Sequence, residues 1–202
     1  MKKSPVEVYA VALDLLRYPR KTLPETIVQG VEDIARSAAR HSLRGPPLGD
    51  WTPKMKVKSD DYTQLINYHR QCTLRVLKFV ATGDLIKKTG TEWIWHNPRC
   101  EACPPTSKVP VVALGIPKHP TSWWVIFWER VVASIGECPC EELLEDGQIW
   151  NSTLQALAKE CPTCYQTAVE KYPRFKEKVM QIITDIIDSV SIYLSVGLPV
   201  KV

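Results

Sequence analysis

Apolar residues recur at every third or fourth position along several stretches of this chain, the spacing that turns one face of an α-helix toward a core. Ile27, Val28, Val31, Ile34, Ala35 and Ala38 form one such stripe. Tyr62, Leu65, Ile66, His69, Val76, Leu77 and Val80 form a second, on roughly one side of their helix. The cleanest runs through Val179, Ile182, Ile183, Ile186, Ile187, Val190 and Leu194. Local signals frame these stripes. Ser4-Pro5-Val6-Glu7 has the form of a capping box with proline in the first turn, predicting a helix to about Tyr18, where Pro19 stops it. Thr22-Leu23-Pro24-Glu25 repeats the device before the second helix, Ser59 caps the third, and Gly83 ends it. Arg44 to Pro53, rich in glycine and proline, reads as a linker.

The middle of the chain has a different pattern. Leu85-Ile86, a turn at Gly90 and Trp93-Ile94-Trp95 predict a short β-hairpin, followed by a cysteine-bearing loop and a proline-rich extended segment. Thr121 or Ser122 then caps a helix through Trp123, Trp124, Phe127, Trp128, Val131 and Val132. A further helix ends near Lys159, and Cys161-Pro162-Thr163-Cys164 opens the next. The expected fold is all-α or mainly α, a helical bundle with one short β-hairpin and a Cys-rich loop. Its expected parts are an N-terminal helical part (1–83), the hairpin and loop (84–119) and a C-terminal bundle (120–202).

Composition narrows the function classes. A chain of 202 residues, 45% hydrophobic and 24% charged, has the material for one good core or a core with a small subdomain. Its net charge of +4 is uneven: residues 1–99 hold 17 basic and 10 acidic side chains, and residues 100–202 hold 9 and 12. The basic half suits weak, salt-sensitive contact with nucleic acid, although scattered charges more often form a solvated surface. Met1-Lys2-Lys3 has the charge of a signal-peptide head, but Glu7 and Asp14 interrupt the apolar stretch and no cleavage site follows. No apolar run reaches membrane-spanning length. The expectation is a soluble protein, intracellular (cytoplasmic) or carried in a virion, without membrane partners. No glycine-rich phosphate loop, nucleophile elbow or metalloprotease motif is present.

The chemistry-bearing residues are the cysteines. Six of the seven form close pairs: Cys100/Cys103, Cys138/Cys140 and Cys161/Cys164. In a reducing compartment such pairs point to metal or redox work, with structural disulfides as the other use. Cys161-Pro162 and Cys138-Pro139 share one local logic. Proline suits the first position of a helix, which puts the preceding cysteine at the N-cap, where backbone N–H groups and the helix dipole favour thiolate. The two-residue spacing of Cys161 and Cys164 suits a redox pair, and zinc sites use it equally. His96, Cys100 and Cys103 fall within eight residues at the exit of the expected hairpin, as in a zinc knuckle, with Cys138 and Cys140 as further candidate ligands. Cys72 reads as a buried small hydrophobe, His69 as a satisfied residue at the core edge and His41 as surface.

The flanks of the last pair carry a resemblance. Trp123-Trp124 and Trp128 on one helix, a helix with Trp150, Leu154 and Leu157, then Cys-Pro-Thr-Cys, Tyr172-Pro173 and a final apolar helix closing at Gly197-Leu198-Pro199 resemble the Erv/ALR family of flavin-dependent sulfhydryl oxidases. The resemblance covers residues 122–199. It implies a catalytic pair at Cys161 and Cys164, FAD as cofactor with Trp124 and Trp128 beside it, and protein thiols as substrate. The chain departs from the family where the flavin-contacting histidine and asparagines belong: those positions read Phe127 or Trp128, Ile187-Asp188 and Ser191. The corresponding expectations are thiol–disulfide chemistry in an active oxidase or a degenerate relative that keeps the helical shell. A second segment, Trp93 through Cys103 to His119-Pro120, resembles phage head-morphogenesis (minor capsid) proteins, with Thr121-Ser122 where later cysteines belong. That resemblance implies a non-enzymatic structural or assembly protein, stabilised by zinc or disulfides.

Overall fold

The capping box read at the start of the chain is formed. Ser4 Oγ accepts the backbone N–H of Glu7 at 3.3 Å, and the Ser4 N–H donates to Glu7 Oε2 at 2.9 Å. Helix α1 (Pro5–Arg17) follows directly. The computed structural model describes residues 4–17, 24–46, 57–81, 121–145 and 147–190. The expected hairpin, the cysteine loop and the residues beyond 190 lie outside these. Within them the protein is a helical bundle, as the periodicities predict: α1, α2 (Glu25–Ser42), α3 (Ser59–Ala81), α4 (Ser122–Ile135), a 3-10 turn (Glu141–Leu144), α5 (Gly147–Glu160) and α6 (Pro162–Asp188). None of these helices is long and apolar enough to cross a membrane.

The chain divides into two compact units, one of Met1–Cys72 with Asp188–Val202, the other of Thr73–Ile187. In the first, α1 buries Tyr9, Ala12, Leu13 and Leu16, and α2 buries Ala35, Ala38 and Ala39. This corrects the α2 stripe. Ile27 and Ile34, expected to share a face with Ala35 and Ala38, are about half exposed. The small alanine side chains take the core position, and the bulky ones fall at the edge of the contact. Helix α2 also begins at Glu25 with Pro24 as its N-cap and no side-chain cap. Cys72 is fully buried on α3, and buried His69 sets Nε2 at 3.1 Å from the Gly45 carbonyl, closing the loop after α2 onto α3.

The second unit holds an aromatic core. Trp123, Trp124, Phe127, Trp150, Tyr172 and Phe175 are all buried. Phe127 stands edge-on to both Trp150 and Tyr172, at 5.3 and 5.8 Å between ring centroids. Such edge-to-face pairs add about 0.5–1.5 kcal/mol beyond area burial. The sequence divides the last stretch into a helix opened by Cys161 and a separate apolar one. The structure runs a single helix, α6, through both, with Pro173 inside it. Proline removes one backbone donor and crowds the preceding turn, yet buried Tyr172 and Phe175 anchor the helix on either side of it. The apolar period reads correctly: Val179, Ile183, Ile187 and Val190 are buried.

Candidate functional site

Helix α5 ends at Glu160 and α6 begins at Pro162, so Cys161 is the one residue between them. Its N–H closes the last turn of α5 on the Leu157 carbonyl at 2.8 Å, and its own carbonyl accepts the first bond of α6 from Tyr165 at 3.0 Å. Cys161 is therefore both the end of one helix and the N-cap of the next. Its Sγ lies 3.5 Å from the backbone N–H of Cys164, the position a serine or aspartate oxygen takes in an ordinary cap. One N–H donor and the positive end of a 27-residue helix thus converge on this sulfur. Cys161 is 2% exposed, while Cys164, one turn on, is partly exposed. The pair has an inner and an outer thiol.

The second pair is arranged differently. Cys138 does not cap a helix. It follows α4, its N–H bonded to the Ser134 carbonyl at 2.9 Å, and Pro139 lies in irregular chain. The cap belongs to Cys140, at the head of the 3-10 turn. Four residues, 136–139, turn the chain from α4 before it coils again. Cys138 and Cys140 bring their Sγ atoms to 3.1 Å. The Cys140 thiol is pushed up from its ordinary range, first by its hydrogen bond to Cys138, then by burial and by Glu142. The thiolate expected from proline spacing belonged to Cys138, which the structure does not place at a helix N-cap. No disulfide joins any of the five described cysteines, Cys72, Cys138, Cys140, Cys161 and Cys164.

Among the described residues no group of three His, Cys, Asp or Glu side chains is placed to hold a metal ion. The two described pairs are thus not joined into one four-sulfur site. His96, Cys100 and Cys103 lie outside the described residues. Trp124 and Trp128 are brought together, stacked at 5.5 Å and 11°. Trp124 is 3% exposed, with Phe175 edge-on at 5.2 Å and Phe127 at 5.4 Å. A flavin beside Trp124 needs an open ring face, and this ring has been used for the core. As packed, these residues do not fit a flavin. An open groove of about 710 Å³ in the same unit, between α4 and α5, is lined by Arg130, Ser134, Ile149 and Ser152 among others and includes no cysteine or tryptophan.

Sequence reasoning missed the stack of Trp150 on Tyr172, centroids 3.6 Å apart and planes 9° apart. Its only advance signal is that each residue lies eleven positions from Cys161. No family model, curated protein or solved structure matches the chain.

Proposed function

We propose that Cys161 and Cys164 form a dithiol–disulfide couple that exchanges with a protein disulfide or dithiol, without flavin. The observation that supports this reading is the Cys164 N–H aimed at the Cys161 sulfur at the start of α6. The thiolate is the nucleophile in exchange, and a helix N-terminus is the setting that favours it; here the favoured thiolate is Cys161, which resolves the mixed disulfide and is the leaving group in the reverse direction. The outer Cys164 meets the partner. Its thiolate attacks one sulfur of a partner disulfide, giving a mixed disulfide and releasing the other partner sulfur as a thiolate that takes up a proton. Cys161 then attacks the Cys164 sulfur, so the partner leaves as a second thiol and the Cys161–Cys164 disulfide remains. The partner gains two electrons, the pair loses two, and the reverse sequence oxidises a partner dithiol.

A second reading, a structural protein, is favoured by the burial of Cys161, since buried cysteines are commonly inert. Cys161→Ser separates the two. In an exchange protein, this variant accumulates a mixed disulfide at Cys164 when given a small-molecule disulfide, and its melting temperature barely moves. In a structural protein it loses stability and traps nothing.

A further inference from the structure

Among the described residues, α1 and α2 carry an apolar surface that is left uncovered. Val11 and Leu15 on α1 are 44% and 47% exposed, and Ile27 and Ile34 on α2 are 48% and 52% exposed. Pro5 and Val8, early in α1, line a shallow groove with Ile34, Ala38 and His41, late in α2. The helices therefore run antiparallel, which sets Leu15 toward the Ile27 end and makes the four side chains one stripe along the seam. Scattered exposed aliphatics are ordinary, but a contiguous stripe marks an interaction surface.

Two features specify what covers it. The first is the placement of charge. At 100° per residue, the α2 positions beside Ile27 and Ile34 are Thr26, Gly30, Val31, Ser37, Ala38 and His41, none of them formally charged at neutral pH. Glu32, Arg36 and Arg40 fall on the opposite side and Asp33 on the flank, Arg36 paired with Glu32 and Asp33, and Arg40 with Asp188. The nearest acids of α1, Glu7 and Asp14, are engaged by Ser4 and Lys58. A two-fold pair sets a surface against its own copy, so a charged face repels itself and this one does not. The second is Gly30. Glycine inside a helix is disfavoured relative to alanine, and a Cβ at Gly30 meets nothing within 4 Å. Among the described residues nothing requires the missing side chain. It leaves a hollow beside the Ile34 knob, four residues away on the same face.

We infer that the α1–α2 seam is a dimer interface, covered by the same seam of a second copy of this chain. With α2 antiparallel to its copy and the axis between positions 30 and 34, each Ile34 enters the hollow at the other chain's Gly30. The four exposed side chains leave roughly 300 Å² per chain. Two such patches fall short of the roughly 1,200 Å² of a stable interface, so a weak, concentration-dependent dimer is expected.

Sedimentation equilibrium of the full chain, in reductant so that no intermolecular disulfide contributes, tests this over about 1–200 μM. The mass is expected to rise from 22.9 kDa toward twice that value. Ile34→Glu is expected to hold it at 22.9 kDa with the helical circular dichroism unchanged. Leu74→Glu, at a position 56% exposed on α3, is expected to leave the association intact. Should Ile34→Glu fail to fold, the double variant Leu15→Ser, Ile27→Ser gives the same readout. A wild type that stays at 22.9 kDa throughout overturns the inference, as does a dimer that survives the seam substitutions in folded protein.

Discussion

Trp150 lies flat on Tyr172, joining α5 to α6 at equal distances from the residue where the two helices meet. The ring centroids are 3.6 Å apart, and each residue is eleven positions from Cys161. At about 1.5 Å per residue, the stack sits roughly 16 Å down each arm of the helix hairpin. It holds the arms together and so fixes the turn in which Cys161 caps α6. Trp150→Ala removes the stack and the edge contacts to Phe127 and Trp123. The expected cost is about 3–5 kcal/mol, the range for large-to-small aromatic changes in a core. Tyr172→Phe keeps the ring, and its cost is expected below about 1.5 kcal/mol. Urea denaturation of both variants checks the difference.

That relationship also shows where the sequence stops informing. The capping box at Ser4 and Glu7, the start of α6 after Cys161, and the apolar period from Val179 to Val190 were all legible, because each depends on residues three or four positions apart. The N-cap role of Cys161 follows from Pro162 in the same way. Local spacing does not show how proline or packing is weighed against distant partners. Pro173 does not end its helix, because Tyr172 and Phe175 are held in the core on either side. Cys138 does not cap one, because the chain must first leave α4. The α2 stripe was right in period and wrong in facing. Close packing selects alanine over isoleucine for the contact with α1, and periodicity cannot say which residues of a broad apolar arc are innermost.

His69 gives the fold a pH dependence. Burial pushes its ring below the usual histidine range, and the hydrogen bond to Gly45 acts the other way with smaller effect. The folded state therefore binds a proton less readily than the unfolded chain. Stability is unaffected well above pH 6.5, where neither state is protonated, and falls as the pH drops through that value and the unfolded chain takes up the proton. Denaturant midpoints between pH 8 and 5, in wild type and His69→Gln, measure this; the variant is expected to show the shallower decline. Equal slopes would mean that other groups carry the dependence.

The two cysteines of the CxC pair should differ in reactivity although their sulfurs lie 3.1 Å apart. Cys140 is buried and held as a thiol by Cys138, burial and Glu142, whereas Cys138 is partly exposed. Only thiolate alkylates. Timed iodoacetamide labelling of the native protein at pH 8, read by peptide mass spectrometry, should modify Cys138 well before Cys140. Glu142→Gln should narrow the gap by removing a negative charge that opposes ionisation of Cys140. Faster labelling of Cys140 would contradict the assigned hydrogen bond.

The central claim is that Cys161 and Cys164 act as one two-electron couple, and a redox titration tests it most directly. The native protein is equilibrated against a series of reduced and oxidised glutathione ratios, acid-quenched, alkylated and mapped by mass spectrometry. Both thiols are expected to disappear together in a single transition, as a Cys161–Cys164 disulfide. In Cys161→Ser, Cys164 is expected to carry one glutathione. Independent modification of the two cysteines, or thiols that persist together across the whole series, would contradict the central claim.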